Sequence, residues 1–307
     1  MSAAAQSWVI AGCSETIWKK NPANMNAPTI IDSHCHFWDP ARFHYAWNHG
    51  FPALDRAFLP RDFSIASANS NVSKMIFVEC DCGPAQNLAE IDWVSDFATN
   101  EPRLKGAVVY APVEKGEAIR ADLEMLAARP LVKGVRRNLQ GEREVEFGLR
   151  PEFIAGVKVL AEFGFTFDLC IRHEQLRSVA ELVKRVPQVT FVLDHFGKPD
   201  VRGKKTEPWA MDLKTLAALP NVACKISGLT TEADWGNWQS KELKFYFEHA
   251  LECFGFNRLM FGSDWPMATL ATTYERWIET VQELFSFATE ADQIKLFQTN
   301  AERIYRV

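Results

Sequence analysis

A chain of 307 residues, 47% of them hydrophobic and 24% charged, has the size and composition of a soluble globular enzyme with a large buried core. The formal net charge is −5 and there is no basic run, which argues against a dedicated nucleic-acid surface. No apolar stretch approaches the length that a membrane-spanning helix needs.

The cysteines indicate the redox environment. There are seven of them, an odd count, and most lie inside apolar runs. We therefore expect free thiols in a reducing compartment, the cytoplasm, rather than a disulfide framework. Cys80 and Cys82 resemble half of a metal site, but no second cysteine pair completes it.

The beginning of the chain differs from the rest. Residues 1–27 carry neither a secretory signal nor a clear transit peptide, and we expect them to form a tail that can be disordered. One catalytic domain is expected over residues 28–307. The alternative, that the tail covers the bottom of that domain or a neighbouring subunit, rests on four apolar residues: Trp8, Ile10, Ile17 and Trp18.

From residue 29 onward, short runs rich in β-branched residues alternate with segments of helical periodicity. Eight runs are almost continuously apolar, as parallel strands covered on both faces should be. These runs span 29–34, 74–79, 104–110, 132–138, 166–171, 189–194, 222–227 and 258–262. Eight strand–helix alternations predict an α/β fold, a (β/α)₈ TIM barrel, rather than a doubly wound sheet. Glycine-rich phosphate loops are absent from the sequence.

Three of the predicted strands end in ionisable residues, and in a TIM barrel the catalytic groups gather at these ends. The first strand leads into His34 and His36, whose spacing of two in extended backbone lets both imidazoles converge. His195 follows the sixth strand and Asp264 the eighth. Each residue alone is typical of a structural or turn position. Together, at the mouth of one barrel, they predict an active site.

Several motifs resemble those of the amidohydrolase superfamily, and within it the lactonase branch that includes the pyrone dicarboxylate, fucono- and rhamnonolactonases. They keep the order seen in that branch and extend over nearly the whole chain after residue 28. The motifs are IDSHCHFWDP at 31–40, FLPRD at 58–62, KGVRRNLQ at 133–140, DLCIRHEQL at 168–176, LDHFGKP at 193–199, KISG at 225–228 and FGSDWP at 261–266.

The resemblance implies roles for the strand-end residues. Asp264 would be the general base that activates water, with His34, His36 and His195 around the substrate carbonyl or a metal. His34, His36 and Asp264 would be the ligands of one divalent ion, zinc or similar, if a metal is present. The end of the fourth strand runs VRRNLQ at 135–140 and lacks the lysine that bridges binuclear members as a carbamate, so one ion or none is expected. Without a metal, protonated histidines could serve as the oxyanion stabilisers.

Five further residues are candidate substrate contacts, each with a structural alternative. His173 follows the fifth strand and is also typical of a surface helix start. Gln140 follows the fourth strand, and Glu79, at the end of the second, suits a pocket or a buried ion pair equally well. Trp38 and Trp265 lie in strand-end loops, where aromatic rings suit a sugar-like ring or pack under long loops.

The function expected from these features is hydrolysis of a small-molecule lactone, with a sugar acid lactone as the leading substrate class. A metal-dependent decarboxylase of a muconate-type acid on the same barrel is the alternative. A non-catalytic binding barrel is disfavoured because it gives the histidines and Asp264 no reason to converge. The sequence gives no indication of the oligomeric state.

Overall fold

The computed structural model describes residues 29–307, so the predicted tail at 1–27 lies outside the described residues. Eight parallel strands form one sheet in the order in which they occur along the chain. They are β1 (Ile30–Cys35), β2 (Val72–Val78), β3 (Leu104–Val109), β4 (Val132–Arg136), β5 (Thr166–Leu169), β6 (Phe191–Leu193), β7 (Val222–Ile226) and β8 (Leu259–Phe261).

Helices connect the strands and cover the outside of the sheet. They are α1 (Pro60–Ala66), α2 (Asn87–Phe97), α3 (Arg120–Ala127), α4 (Pro151–Val159), α5 (Leu176–Arg185), α6 (Trp209–Ala217), α7 (Ser240–Phe254) and α8 (Tyr274–Leu284). After α8, the segment α9 (Glu290–Ile294) continues through a π-helical turn into α10 (Asn300–Tyr305). Within residues 29–307, no helix combines the length and apolar character that crossing a membrane requires.

The sheet closes on itself between its first and last strands. Cys35 pairs with Trp265 in a parallel bridge just beyond β8. The Asp264 amide donates to the His34 carbonyl oxygen at 2.8 Å, and the His36 amide donates to the Trp265 carbonyl oxygen at 2.7 Å. These bonds join the C-terminal ends of β1 and β8, so the closing seam of the barrel carries the predicted active-site residues.

The core has two layers. The larger one lies between the strands and the surrounding helices, where α5, for example, buries Leu176, Val179 and Val183. The smaller one fills the barrel and contains residues of six strands together with Ala301, Ile304 and Tyr305 of α10. Helix α10 therefore closes the bottom of the barrel, opposite the ends that carry the ionisable residues.

The predicted (β/α)₈ fold is confirmed, and the differences lie at strand boundaries. The sixth and eighth strands are shorter than predicted and reduce to Phe191–Leu193 and Leu259–Phe261. Asp194 and the residues after Phe261 leave the sheet because their backbone turns toward the barrel mouth, with φ of 54° at His195 and 58° at Asp264. Apolar periodicity alone does not reveal where a strand gives way to such a turn.

Candidate active site

The two histidines of the first strand converge as their spacing predicts. His34 is fully buried and His36 is 5% exposed, and their Nε2 atoms lie 3.1 Å apart. His36 Nδ1 lies 2.8 Å from the Val78 carbonyl oxygen. Since a carbonyl oxygen only accepts, Nδ1 carries the hydrogen and Nε2 presents its lone pair to the cavity.

Asp264 completes the group from the opposite side of the seam. Its Oδ1 lies 3.3 Å from His36 Nε2, 3.7 Å from His34 Nε2 and 3.8 Å from His195 Nε2. Its φ of 58° is uncommon for a residue with a side chain. A backbone held in this region at a pocket suggests a functional constraint, because the surrounding structure must offset the strain.

His195 reaches the same point from the loop after β6. Its Nδ1 lies 2.9 Å from Ser227 Oγ, which fixes the ring and leaves Nε2 toward Asp264. Gly228, with φ of 59°, follows Ser227 and passes directly beside the His195 ring. Only glycine tolerates both this backbone conformation and this close approach.

The electrostatics set the protonation states. Burial lowers the pKa of His195 to about 4 and lowers the pKa of His34 well below its usual value. Burial alone would raise the pKa of Asp264, but His195, His36 and His34 together hold it below its usual range. At neutral pH the site therefore contains an ionised carboxylate beside neutral His34 and His195. The expectation of protonated histidines as oxyanion stabilisers is not supported for these two residues.

Below the histidines lies a layer of buried charges. Lys225 Nζ is 2.6 Å from Asp168 Oδ2, 3.0 Å from Asp194 Oδ1 and 3.2 Å from His34 Nδ1. His34 Nδ1 is itself 3.2 Å from Asp194 Oδ1. Arg136 donates to the other Asp194 oxygen at 3.2 Å. The layer thus connects the inner face of the barrel to the back of the His34 ring.

The donor set fits a divalent ion. His34, His36 and Asp264 offer two imidazole nitrogens and a carboxylate oxygen within 4.8 Å of one another, which is a combination that zinc sites use. Around the histidines, buried carboxyl groups, Asp32 and Asp264 among them, outnumber the two buried cations, Arg136 and Lys225. This excess of acidic groups suits the binding of a cation.

A second possible group, His34, Asp194 and His195, shares one histidine with the first. It is the poorer site, because Asp194 Oδ1 is already 3.0 Å from the Lys225 ammonium. That ammonium occupies the space behind His34 in which a second cation would have to bind.

A cavity of about 140 Å³ opens above the group, and His36, His195 and Asp264 line it. Glu79, Gln140 and Trp38 line it as well. Glu79 also accepts from Arg136 Nε at 2.6 Å and from the Asp81 amide at 2.6 Å. It therefore forms the buried ion pair expected as its structural alternative, and its contact with substrate stays a prediction.

Two predicted contacts lie away from this cavity. His173 begins a short 3₁₀ turn, and its Nδ1 lies 3.1 Å from the Lys198 carbonyl oxygen, so its ring supports the loop after β6. Trp265 is 3% exposed and packs edge-on against Phe37, Phe58 and Phe63. These placements correspond to the structural alternatives for both residues.

Sequence reasoning assigned no role to several residues that shape the site. Lys198 lines the cavity and donates to Gln140 Oε1 at 2.5 Å. Lys225 and Asp168 lie inside otherwise apolar strands, VACKI and TFDL. A charged residue in such a run must find a buried partner of opposite sign, so this pattern could have indicated the pair.

Residues 31–307 match the family model described as amidohydrolase. The chain is 31% identical to the L-fucono-1,5-lactonase of Burkholderia multivorans over 293 residues, which cover 90% of this chain and 95% of that protein. It is 23% identical to the L-rhamnono-gamma-lactonase of Scheffersomyces stipitis over 337 aligned residues, which cover 92% of this chain and 100% of that protein.

Solved structures agree with the fold. A crystal structure of an amidohydrolase from Burkholderia multivorans with bound zinc superposes with a TM-score of 0.81 at 31% identity, over 91% of this chain and 99% of that chain. The 5-carboxyvanillate decarboxylase of Sphingomonas paucimobilis gives a TM-score of 0.62 at 13% identity, over 91% of this chain and 99% of that chain. The latter likeness concerns the fold alone.

Proposed function

Because this chain belongs to the amidohydrolase family, we propose that it is a hydrolase that opens a lactone ring and that its substrate is the lactone of a sugar acid. The family resemblance inferred from the motifs is confirmed by the match over residues 31–307. The observation that carries the proposed reaction is the position of Asp264, whose Oδ1 lies within 3.3–3.8 Å of three imidazole nitrogens in a buried cavity.

In the proposed reaction, Asp264 accepts a proton from water while the water oxygen forms a bond to the lactone carbonyl carbon. The ring C–O bond then breaks, and the departing alkoxide takes up the proton. One water is consumed and one hydroxy acid is formed. His34, His36 and His195 surround the place where this exchange would occur, and their packing limits access of bulk water.

The low pKa of Asp264 keeps it ionised but also makes it a weak base, so the water needs electrophilic help. We propose that His34, His36 and Asp264 hold one divalent ion, zinc or a similar metal, with a metal-free reaction as the alternative. When bound, such an ion polarises a carbonyl and lowers the pKa of water to ~7.

The cavity supports a small, hydroxylated ring as substrate. Its volume of about 140 Å³ is well below that of pockets for drug-sized ligands, which start near ~300 Å³. Trp38 and Trp47 supply flat apolar walls, while Gln140, Lys198 and Thr231 supply hydrogen-bonding groups. The proposed location is the cytoplasm, which the free thiols of all six cysteines in residues 29–307 favour.

A substrate panel tests the reaction. The purified protein is assayed for acid release from sugar acid lactones and, in parallel, for CO₂ release from muconate-type acids. We expect acid release from at least one lactone and no CO₂. Release of CO₂ alone would replace the lactonase proposal by the decarboxylase. The absence of turnover on both panels, with binding of a lactone, would favour a binding barrel.

A further inference from the structure

Asp32 lies at the closing seam of the barrel, two residues before His34 on β1, and its side chain is fully buried. One of its carboxylate oxygens, Oδ1, accepts from the Ser263 amide at 2.9 Å and from the His34 amide at 3.1 Å. The other oxygen, Oδ2, accepts from the Tyr274 hydroxyl at 3.0 Å. Asp32 therefore joins both sides of the seam to the first residue of α8.

The two amides lie where the regular pairing of the sheet stops. The register between β1 and β2 shifts between Asp32 and Cys35, and His34 lies inside that irregular stretch. Ser263 lies two residues beyond the end of β8. A buried amide without an acceptor is costly, so a side-chain oxygen at this point does the work that a strand carbonyl does elsewhere in the sheet.

These hydrogen bonds fix the relative position of the two segments that carry the proposed metal ligands. Ser263 directly precedes Asp264, whose amide donates to the His34 carbonyl oxygen at 2.8 Å. His34 is thus held at both its amide and its carbonyl, and Asp264 is held at its own amide and at the residue before it. The φ of 58° at Asp264 is a conformation that persists only where the surrounding structure imposes it.

We propose that Asp32 is a positioning residue that, held by Tyr274, keeps Asp264 Oδ1 at 3.3 Å from His36 Nε2 and 3.7 Å from His34 Nε2. It acts through the backbone and not through contact with substrate. The kinetic part of this inference rests on the proposed lactonase function. The position of Asp264 and the affinity for zinc do not depend on that function, so they can be measured even if no substrate is found.

The test compares the full chain with Asp32→Ala and Asp32→Asn. Alanine removes the acceptor, whereas the asparagine oxygen can accept from both amides while its NH₂ group donates to the Tyr274 hydroxyl oxygen. In Asp32→Ala, zinc affinity measured by competition with a chelator should fall about 10–100-fold. On a lactone, kcat should fall by a similar factor with KM within about threefold. All three quantities in Asp32→Asn should stay within about threefold of the wild type.

Crystal structures of the wild type and the two variants report the placement directly. In Asp32→Ala the distance between Asp264 Oδ1 and His36 Nε2 should change by about 1 Å, an error that can cost about 100-fold in rate, and in Asp32→Asn it should not change. This measurement needs neither zinc nor a lactone. A wild-type position of Asp264 in Asp32→Ala would therefore contradict the role of Asp32 whatever the reaction is.

Tyr274→Phe removes the hydroxyl that holds Asp32 and keeps the ring. We expect zinc affinity and kcat lowered about threefold, a smaller change in the same direction. If Asp32→Ala does not fold, this variant decides the matter, and unchanged zinc affinity and kcat would overturn the proposal.

Asp212→Ala is the control for a general loss of stability. Asp212 is a carboxylate of α6 that is 7% exposed and lies 3.5 Å from the Arg177 guanidinium. Any fall in its melting temperature should leave zinc affinity, kcat and KM as in the wild type.

Wild-type zinc affinity and kcat in Asp32→Ala, even with a lowered melting temperature, would overturn the proposal and leave Asp32 a purely structural residue. Losses in Asp32→Asn as large as those in Asp32→Ala would overturn it as well, because they would assign the effect to charge and not to hydrogen bonding. A protein that hydrolyses no lactone but shows the expected shifts in zinc affinity and in the position of Asp264 would refute the proposed reaction and retain the role of Asp32.

Discussion

Gly228 lies directly against the imidazole of His195. A Cβ atom placed on Gly228 would lie only 2.6 Å from His195 Cγ and 3.1 Å from Asp264 Oδ2. The backbone just after β7 therefore passes beside two predicted catalytic side chains, and only a residue without a side chain fits at this position.

Gly228→Ala should reduce kcat/KM at least about 100-fold and lower the melting temperature. The added methyl must displace His195 or Asp264, and the φ of 59° adds strain of about 1–3 kcal/mol. The matched control is Gly255→Ala, which has a φ of 60° but nothing within 4 Å of its Cβ, so it carries the strain without the collision. Steady-state kinetics and thermal unfolding measure both effects, and full activity in Gly228→Ala would contradict the placement of His195.

Asp264→Asn should nearly abolish turnover, by about 10²–10⁴-fold, because an amide cannot accept the proton from water. We expect little change in stability, since asparagine keeps the shape of the side chain and an oxygen that accepts hydrogen bonds. Asp96→Asn, at an exposed position of α2, is the control and should behave as the wild type. Retention of more than about a tenth of kcat would refute the role of Asp264 as the base.

Metal analysis should find at most one divalent ion per chain. The reason is Lys225, whose ammonium lies 3.0 Å from Asp194 and 3.2 Å from His34 and excludes a second cation there. Elemental analysis of protein purified without chelator counts the ions, and activity before and after exhaustive chelation shows whether one is needed. Two ions per chain would contradict the prediction, whereas full activity after chelation would favour the metal-free reaction.

Stability should fall at alkaline pH because of Glu90, a fully buried carboxyl group near Glu79. Burial first, and then the Glu79 charge, raises the pKa of Glu90 to about 8 from an ordinary value of 4.5. A folded-state pKa above the unfolded one gives stability that is complete below pH 4.5 and is lost as the pH rises through 8. The melting temperature of Glu90→Gln should therefore fall less between pH 6 and pH 9 than the melting temperature of the wild type.

Glu279→Gln, at an exposed position of α8, is the control for that experiment and should follow the wild-type curve. Parallel curves for Glu90→Gln and the wild type would show that Glu90 is ionised at neutral pH and would contradict its raised pKa.

The strand-end chemistry could be predicted because it follows from local geometry. Residues two apart on a strand share a face, so His34 and His36 had to converge once β1 was recognised. His195 and Asp264 follow strands directly, and the TIM fold brings those ends together. No distant contact is needed for any of these conclusions.

The arrangement of the supporting residues depends on contacts that are distant along the chain, so the sequence left alternatives open or indicated only that a buried partner was needed. Whether Trp265 faces substrate or core is decided by Phe37, Phe58 and Phe63, which come from other segments of the chain. The role of Lys225 depends on Asp168, 57 residues away. Spacing along one strand gives no information about either arrangement.

The seam of the barrel couples chemistry to the completion of folding. Ser263 Oγ donates to the His34 carbonyl oxygen across 229 residues of sequence, and the proposed metal ligands His34 and Asp264 lie on opposite sides of that junction. Contacts this distant along the chain carry a large entropic cost and form slowly. A ligand that bridges the junction stabilises only the closed barrel, by RT ln(1 + [L]/Kd). The rate at which zinc binding recovers during refolding would then report the rate at which the barrel closes, independently of any catalytic assay.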